Sequence, residues 1–150
     1  MRASDASGRH VAGPSPAAMT ARSTTHQVQV RWPDIDALGH VNHSTVLVYL
    51  EVGRDAVLSA CGIEPRESVV RHCAIDYVRE LRPQGSHVAY RLDAVEPGRT
   101  SLRIEERLMQ DGETAVSSTF VLVLWDATGR AARELTPDER HALLTLRKEG

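Results

Sequence analysis

Apolar and polar positions alternate with a period of two in four stretches of the chain, close in an unbroken apolar run in a fifth, and follow a helical period in another. His26, Val28, Val30 and Trp32 alternate with Gln27, Gln29 and Arg31. In an extended chain successive side chains point to opposite faces, so this predicts a half-buried strand. Pro33 ends it, because proline has no N–H to give a ladder. Cys73, Ile75 and Tyr77 alternate with His72, Ala74 and Asp76. Val88, Tyr90, Leu92 and Ala94 alternate with His87, Ala89, Arg91 and Asp93, and Leu102, Ile104 and Leu108 with Arg103, Glu105 and Arg107. Thr114 to Trp125 ends in a continuous apolar run, which predicts a strand covered on both faces.

The segment Asn42 to Cys61 has the other period. Val46, Leu47, Leu50, Val57, Leu58 and Cys61 fall at helical spacing, and Val48, Tyr49 and Val52 widen the apolar surface. Polar residues keep only a stripe through Ser44, Glu51, Asp55 and Ser59. A helix this apolar is expected to be buried on most sides. Asn42 suits its N-cap and Gly62 its C-terminal stop. Near the end of the chain, Thr136-Pro-Asp-Glu139 has the form of a capping box, predicting a short helix to about Lys148.

The links between strands are Pro83-Gln-Gly-Ser86, Pro97-Gly98, Asp111-Gly112 and Asp126-Ala-Thr-Gly129. Short turns imply antiparallel neighbours. The predicted order is strand, long apolar helix, four strands, short helix. This is an α+β domain in which one sheet curls around one helix. A single helix covers little more than one sheet face, so further surface is expected to be buried against a partner subunit.

Length and composition narrow this picture. The 150 residues, 41% hydrophobic and 25% charged, suit one globular domain. Residues 1–25 are rich in Ser, Ala, Gly, Pro and Thr and have no periodicity, so they read as a disordered tail ahead of a domain over residues 26–150. Met19 offers an alternative start, and Arg2, Arg9 and Arg22 leave a transit peptide as the sharper alternative. A net charge of -2 supplies no basic field for nucleic acid or an anionic membrane. No apolar run is long enough to span a bilayer. Cys61 and Cys73 sit in apolar runs and read as buried free thiols, which suits a reducing cytoplasm. Aromatic residues are only 4%, so the core must rest on Val, Leu and Ala.

Candidate chemistry gathers between Arg31 and Arg54. Trp32-Pro-Asp34-Ile-Asp36-Ala-Leu-Gly39-His40-Val-Asn42, followed by Tyr49, Glu51 and Arg54, resembles the signature of the 4-hydroxybenzoyl-CoA thioesterase-like branch of the hotdog superfamily. It is also similar to the Asp-containing segment of plant acyl-ACP thioesterases. Ile75-Asp-Tyr-Val-Arg-Glu-Leu-Arg-Pro-Gln-Gly85 resembles the family's second strand and the turn after it. The resemblance spans roughly residues 26 to 146. It implies a hotdog fold, a homodimer or homotetramer with equivalent sites at the subunit interface, and an acyl-CoA or acyl-carrier-protein substrate. It implies no metal and no organic cofactor.

The residues themselves suit thioester hydrolysis. A carboxylate just ahead of a helix N-terminus provides a base or nucleophile. Free N–H groups at that N-terminus face a developing oxyanion. Asp36 is therefore the expected base or nucleophile, and Gly39 allows the tight turn beside it. The N–H groups of Asn42 and His43 are the expected oxyanion donors. His40 and Asn42 would orient water or the carbonyl. Val46 and Tyr77 complete the expected substrate-binding set, although a strand tyrosine is more often core.

Several positions depart from the family pattern. His43 stands where a second Asn is usual, Val46 where a Tyr is, Val52 where an acid is common, and Ser86 where Asp follows Gly. Leu38 replaces the Asn of the plant enzymes. The Val46 change enlarges the pocket or removes a polar contact beside it, and keeps a second reading open, a non-catalytic hotdog module that binds acyl-CoA or only dimerises. A hotdog hydratase would need a different Asp and His motif. Plainer readings also stand. Asp34 and Asp36 suit turns, His40 suits a structural histidine, and Glu51 with Arg54 suits an ion pair one helical turn apart. Asp34, Asp36, His40 and His43 together would also suit a metal. Arg79, Arg82 and Arg99 are candidates for CoA phosphates or, more simply, solvated strand ends.

Overall fold

A computed structural model describes residues 23–83 and 87–146. Its elements are β1 (Thr25–Gln29), α1 (His43–Ser59), β2 (Ser68–Tyr77), β3 (His87–Pro97), β4 (Ser101–Gln110), β5 (Glu113–Asp126), β6 (Ala131–Ala132) and α2 (Pro137–Leu144). One antiparallel sheet runs in the order β1-β3-β4-β5-β2, with β6 paired to β5. The expected α+β architecture is present, a curled sheet with α1 on its inner face. Most of the N-terminal tail, the tip of the Pro83–Ser86 turn and the last four residues lie outside the described residues.

Local chemistry explains the connections. Asp111 and Gly112 both take positive φ, 54° and 77°, as a two-residue hairpin between twisted strands requires. Bulges interrupt β2 near Arg71 and β3 near Asp93. An extra residue in one strand bends it and strengthens its twist, which helps the sheet curl. Asn42 caps α1 through Oδ1, which accepts from Ser44 N–H at 3.0 Å. Thr136 and Glu139 form the expected capping box of α2.

α1 packs on β1, β3 and β4. Its inner face presents Val46, Tyr49, Leu50, Gly53, Val57 and Leu58 to Val88, Tyr90, Leu102, Ile104 and Leu108. Gly53 is where helix and sheet come closest. A Cβ there would lie 2.1 Å from Cγ of Tyr90, so only glycine fits. Beside it lies a buried charge cluster. Arg54 Nη1 donates to Glu106 Oε1 at 3.1 Å, and Tyr90 OH donates to Glu106 Oε2 at 2.7 Å. Ser118 Oγ adds a contact to Oε1 at 3.3 Å, and the Arg54 guanidinium sits 3.9 Å over the Phe120 ring. Arg54 thus pairs with Glu106 and not with the exposed Glu51.

Other expectations shift as well. β1 stops at Gln29, and Trp32 is 90% exposed in a short 3-10 turn, Trp32–Asp34, in which Arg31 N–H donates to Asp34 Oδ2 and Asp34 N–H donates to Arg31 O. Leu47, Val48 and Val52 are exposed, so the buried stripe of α1 is narrower than its composition suggests. Cys61 is buried but Cys73 is exposed, and neither forms a disulfide among the described residues. β5 buries one face while the other, through Ser117, Thr119, Val121, Val123 and Trp125, is only half-buried within the chain. The short β6 adds to the expected elements, and α2 ends at Leu144.

Candidate active site at the start of α1

The segment between β1 and α1 is a closed loop. Ile35 and Val41 form an antiparallel bridge at its base. Asp36 N–H donates to His40 O at 2.8 Å, and Gly39 N–H donates to Asp36 O at 3.0 Å. Gly39 takes φ +81°, a conformation that side chains rarely adopt. The Asp36 carboxylate caps this loop from within. Its Oδ1 accepts from Leu38 N–H at 2.8 Å and His40 N–H at 3.2 Å. Its Oδ2 accepts no hydrogen bond among the described residues. One oxygen is therefore anchored and the other is available.

The start of α1 faces the same space. The Asn42 N–H donates to Asp34 O at 2.8 Å. This corrects the expectation that it serves as an oxyanion donor, because a backbone acceptor already holds it. The Asn42 side chain is also committed, with Oδ1 accepting from both Ser44 N–H and Ser44 Oγ. Through Oδ1, Asn42 caps the start of α1. The His43 N–H donates to nothing among the described residues, so it alone of the two expected donors is free.

A pocket of about 250 Å³ lies here, lined by Asp36, His40, His43, Val46 and Tyr77 together with Glu80. Five of the seven expected site residues meet in it. Gly39 and Asn42 build its frame without lining it. Tyr77, at the end of β2, is 51% exposed, and its hydroxyl donates to His43 O at 3.0 Å. Glu80 is a site residue that sequence reasoning misses. Its Oε2 lies 2.7 Å from His40 Nε2, which turns the imidazole toward it. An acid forty positions from its histidine leaves no local signal, although Glu80 falls inside the second motif.

The arginines are distributed unevenly. Arg79 lines the pocket and pairs with Glu113. Arg82 Nε lies 3.8 Å from Glu80. Arg99 pairs with Glu134 and sits in the β3–β4 turn, at the opposite end of β5, so it takes no part in the pocket.

Asp34 performs a different task from Asp36. It is buried, and its carboxylate accepts from Arg31 through backbone N–H, Nε and Nη2. Tyr49 OH donates to the same group at 2.7 Å. These contacts clamp the loop to α1. Burial alone would raise the Asp34 pKa, but the Arg31 and Tyr49 bonds outweigh it and hold the group below its usual value. A carboxyl depressed in the folded state adds stability above its unfolded pKa of about 3.9, and that stability is lost as pH falls through the folded value. The urea midpoint of the wild type is thus expected to fall as pH drops below about 4. Asp34→Asn should be less stable at pH 7 and show a shallower acid limb. An acid limb of unchanged steepness would contradict this assignment.

With Asp34 so engaged, the four-residue metal reading of this loop has no geometric support. Among the described residues, no group of three or more His, Cys, Asp or Glu side chains is placed to hold a metal ion.

Comparison with known proteins bears on the family and the fold. The family model described as the thioesterase-like superfamily matches residues 30–143. No curated protein matches the chain significantly. Among solved structures, a thioesterase from Thermus thermophilus, complexed with coenzyme A and Zn, is 31% identical, with a TM-score of 0.70 over 79% of this chain and 95% of that one. A predicted thioesterase from Bacillus stearothermophilus is 25% identical, with a TM-score of 0.71 over 84% of this chain and 98% of that one. The Staphylococcus aureus DHNA-CoA thioesterase, 17% identical at a TM-score of 0.69 over 79% of this chain and 87% of that one, shares the fold. The curled sheet is the hotdog fold, the chain belongs to the thioesterase-like superfamily, and thioester hydrolysis is its chemistry.

Proposed function

We propose that this chain hydrolyses an acyl thioester of coenzyme A or of acyl-carrier protein, with Asp36 as general base or nucleophile. The observation that carries this reading is the half-anchored Asp36 carboxylate. Its Oδ1 is held by two backbone N–H groups, and its Oδ2 is unengaged in a pocket that also holds the free His43 N–H. As a base, Asp36 takes a proton from water while the water oxygen attacks the thioester carbon. As a nucleophile, it forms a mixed anhydride that water then cleaves. In either course the oxyanion is received by the His43 N–H at the positive end of α1. The intermediate collapses by expelling a thiolate, which is stable enough to need little acid assistance. His40, held by Glu80, orients the water or the carbonyl. Val46 and the Tyr77 ring form the wall for the acyl group.

Coenzyme A is present in the 31%-identical Thermus protein, which supports a CoA thioester here. A homodimer, or a tetramer built from it, is supported by β2. This strand ends the sheet and, among the described residues, leaves one edge unpaired, and Val69, Val70 and Tyr77 on it are exposed. Such an edge invites pairing with a second strand. Two free cysteines suit a reducing cytoplasm. Among the described residues no helix is long and apolar enough to cross a membrane.

Thiol release from a panel of acyl-CoAs tests the reading, with wild type and Asp36→Asn compared. Asparagine keeps an Oδ1 acceptor for the loop and removes the charge. The expected loss of turnover is at least about a hundredfold, the scale of a positioned base. Equal turnover would remove Asp36 from the mechanism. Tight acyl-CoA binding with no hydrolysis of any thioester would mean a binding module instead.

A further inference from the structure

The Tyr77 hydroxyl has an unusual placement for a residue on an exposed strand edge. The ring is half-exposed, so burial does not fix it. Water is available to its hydroxyl, yet the hydroxyl reaches from the last residue of β2 to the first residue of α1 and donates to His43 O at 3.0 Å. The acceptor belongs to the same residue whose N–H is the free donor of the pocket. A carbonyl oxygen has two lone pairs, so a first-turn carbonyl can take a second donor beside its helical one. A second bond fixes the plane of the His43–Ser44 peptide. Asn42 Oδ1, which accepts from Ser44 N–H, grips the same peptide from its other end. The His43 N–H itself lies in the preceding peptide, whose Asn42 O accepts from Thr45 N–H at 2.9 Å and Val46 N–H at 3.2 Å, so with Tyr77 in place His43 is held on both sides of its Cα.

We propose that the Tyr77 hydroxyl is a positioning group for hydrolysis, which aims the His43 N–H at the oxyanion by holding the His43 carbonyl from β2. This deepens the proposed function and rests on it. The ring contributes pocket wall, and the hydroxyl contributes alignment. A donor aimed where charge develops lowers the barrier and leaves ground-state binding largely alone. The two roles of Tyr77 therefore separate by kinetics.

The test is Tyr77→Phe, which keeps the ring and deletes the hydroxyl, assayed beside wild type and Asp36→Asn on one acyl-CoA. The expected result is a fall in kcat of about five- to tenfold, the scale of one neutral hydrogen bond, with KM within about twofold. The melting temperature should fall by no more than about 4 °C, the scale of one lost hydrogen bond, whereas a hydroxyl that only decorated the surface would move neither rate nor stability. An unchanged kcat would overturn the proposal. A raised KM at constant kcat would also overturn it, because the hydroxyl would then be a substrate contact. If Asp36→Asn hydrolyses as fast as wild type, the underlying reading fails. If Asp36→Asn is crippled while Tyr77→Phe is normal, only the positioning role fails.

Discussion

Arg54→Met should destabilise the protein by about 3–5 kcal/mol, the cost of leaving a buried partner charge uncompensated. Arg54 and Glu106 are both almost wholly inaccessible to water. Burial pushes the Glu106 carboxyl above its usual pKa, and the Arg54 charge with the Tyr90 and Ser118 hydroxyls only partly opposes this. Removing Arg54 leaves the burial penalty without its main counterweight, so the Glu106 pKa should rise further. An acid whose folded pKa is raised is stabilising below its unfolded pKa and loses that contribution as pH climbs through the folded one. The deficit of Arg54→Met should therefore be smaller at pH 5 than at pH 8. The double variant Arg54→Met with Glu106→Leu should recover most of the loss, since no isolated charge remains. Urea unfolding of wild type, both single variants and the double variant at both pH values measures all of this. A single-variant cost under about 1 kcal/mol would be that of an exposed pair and would count against a dry cluster.

Gly53→Ala should also destabilise, although alanine is the better helix former by about 1 kcal/mol. The new methyl would stand 2.1 Å from Tyr90 Cγ and 2.4 Å from its Cβ. The ring cannot swing away without losing the bond from its hydroxyl to Glu106. Overpacking of this kind typically costs about 1–3 kcal/mol, so a net loss of about 2 kcal/mol is expected from a more severe clash. Thermal or urea unfolding checks the sign. A more stable Gly53→Ala would mean that α1 stands farther from β3. Turnover is informative beside stability, because lifting the helix at Gly53 tilts its N-terminus, where the His43 N–H lies.

Much of this architecture is legible in the alternation. Period two places β3 and β4, a long stretch ending in an apolar run places β5, the Asp111-Gly112 pair places a hairpin, and the Thr136 capping box places the start of α2. What escapes is tertiary. Trp32 continues the alternation of β1, but Pro33 and the Arg31–Asp34 clamp divert the chain, leaving the indole in solvent. Leu47, Val48 and Val52 are as apolar as their buried neighbours, and only the direction in which the sheet lies separates them. Glu106 does carry a signal. Between Ile104 and Leu108 it falls on the apolar face of its strand, and a charge there needs a buried partner. Gly53 carries none, since a helix glycine does not declare what approaches it.

In the site, Asp36, His40, His43, Val46 and Tyr77 line one pocket. The engagement of the Asn42 N–H by Asp34 O and the grip of Glu80 on His40 both depend on a closed loop that spacing does not reveal.

The glycine notch has a mechanical consequence for α1. A smooth apolar helix lying on a curled sheet could slide along its axis or roll about it at little cost, because hydrophobic contact has no direction. Position 53 removes that freedom like a key in a shaft. Neighbouring positions carry a Cβ, and a residue's advance turns the helix by about 100°, so any other setting drives a side chain into the Tyr90 ring. His43 lies ten residues away, about 15 Å along the same rod. The bearing on β3 thereby sets the heading of the donor at the helix tip.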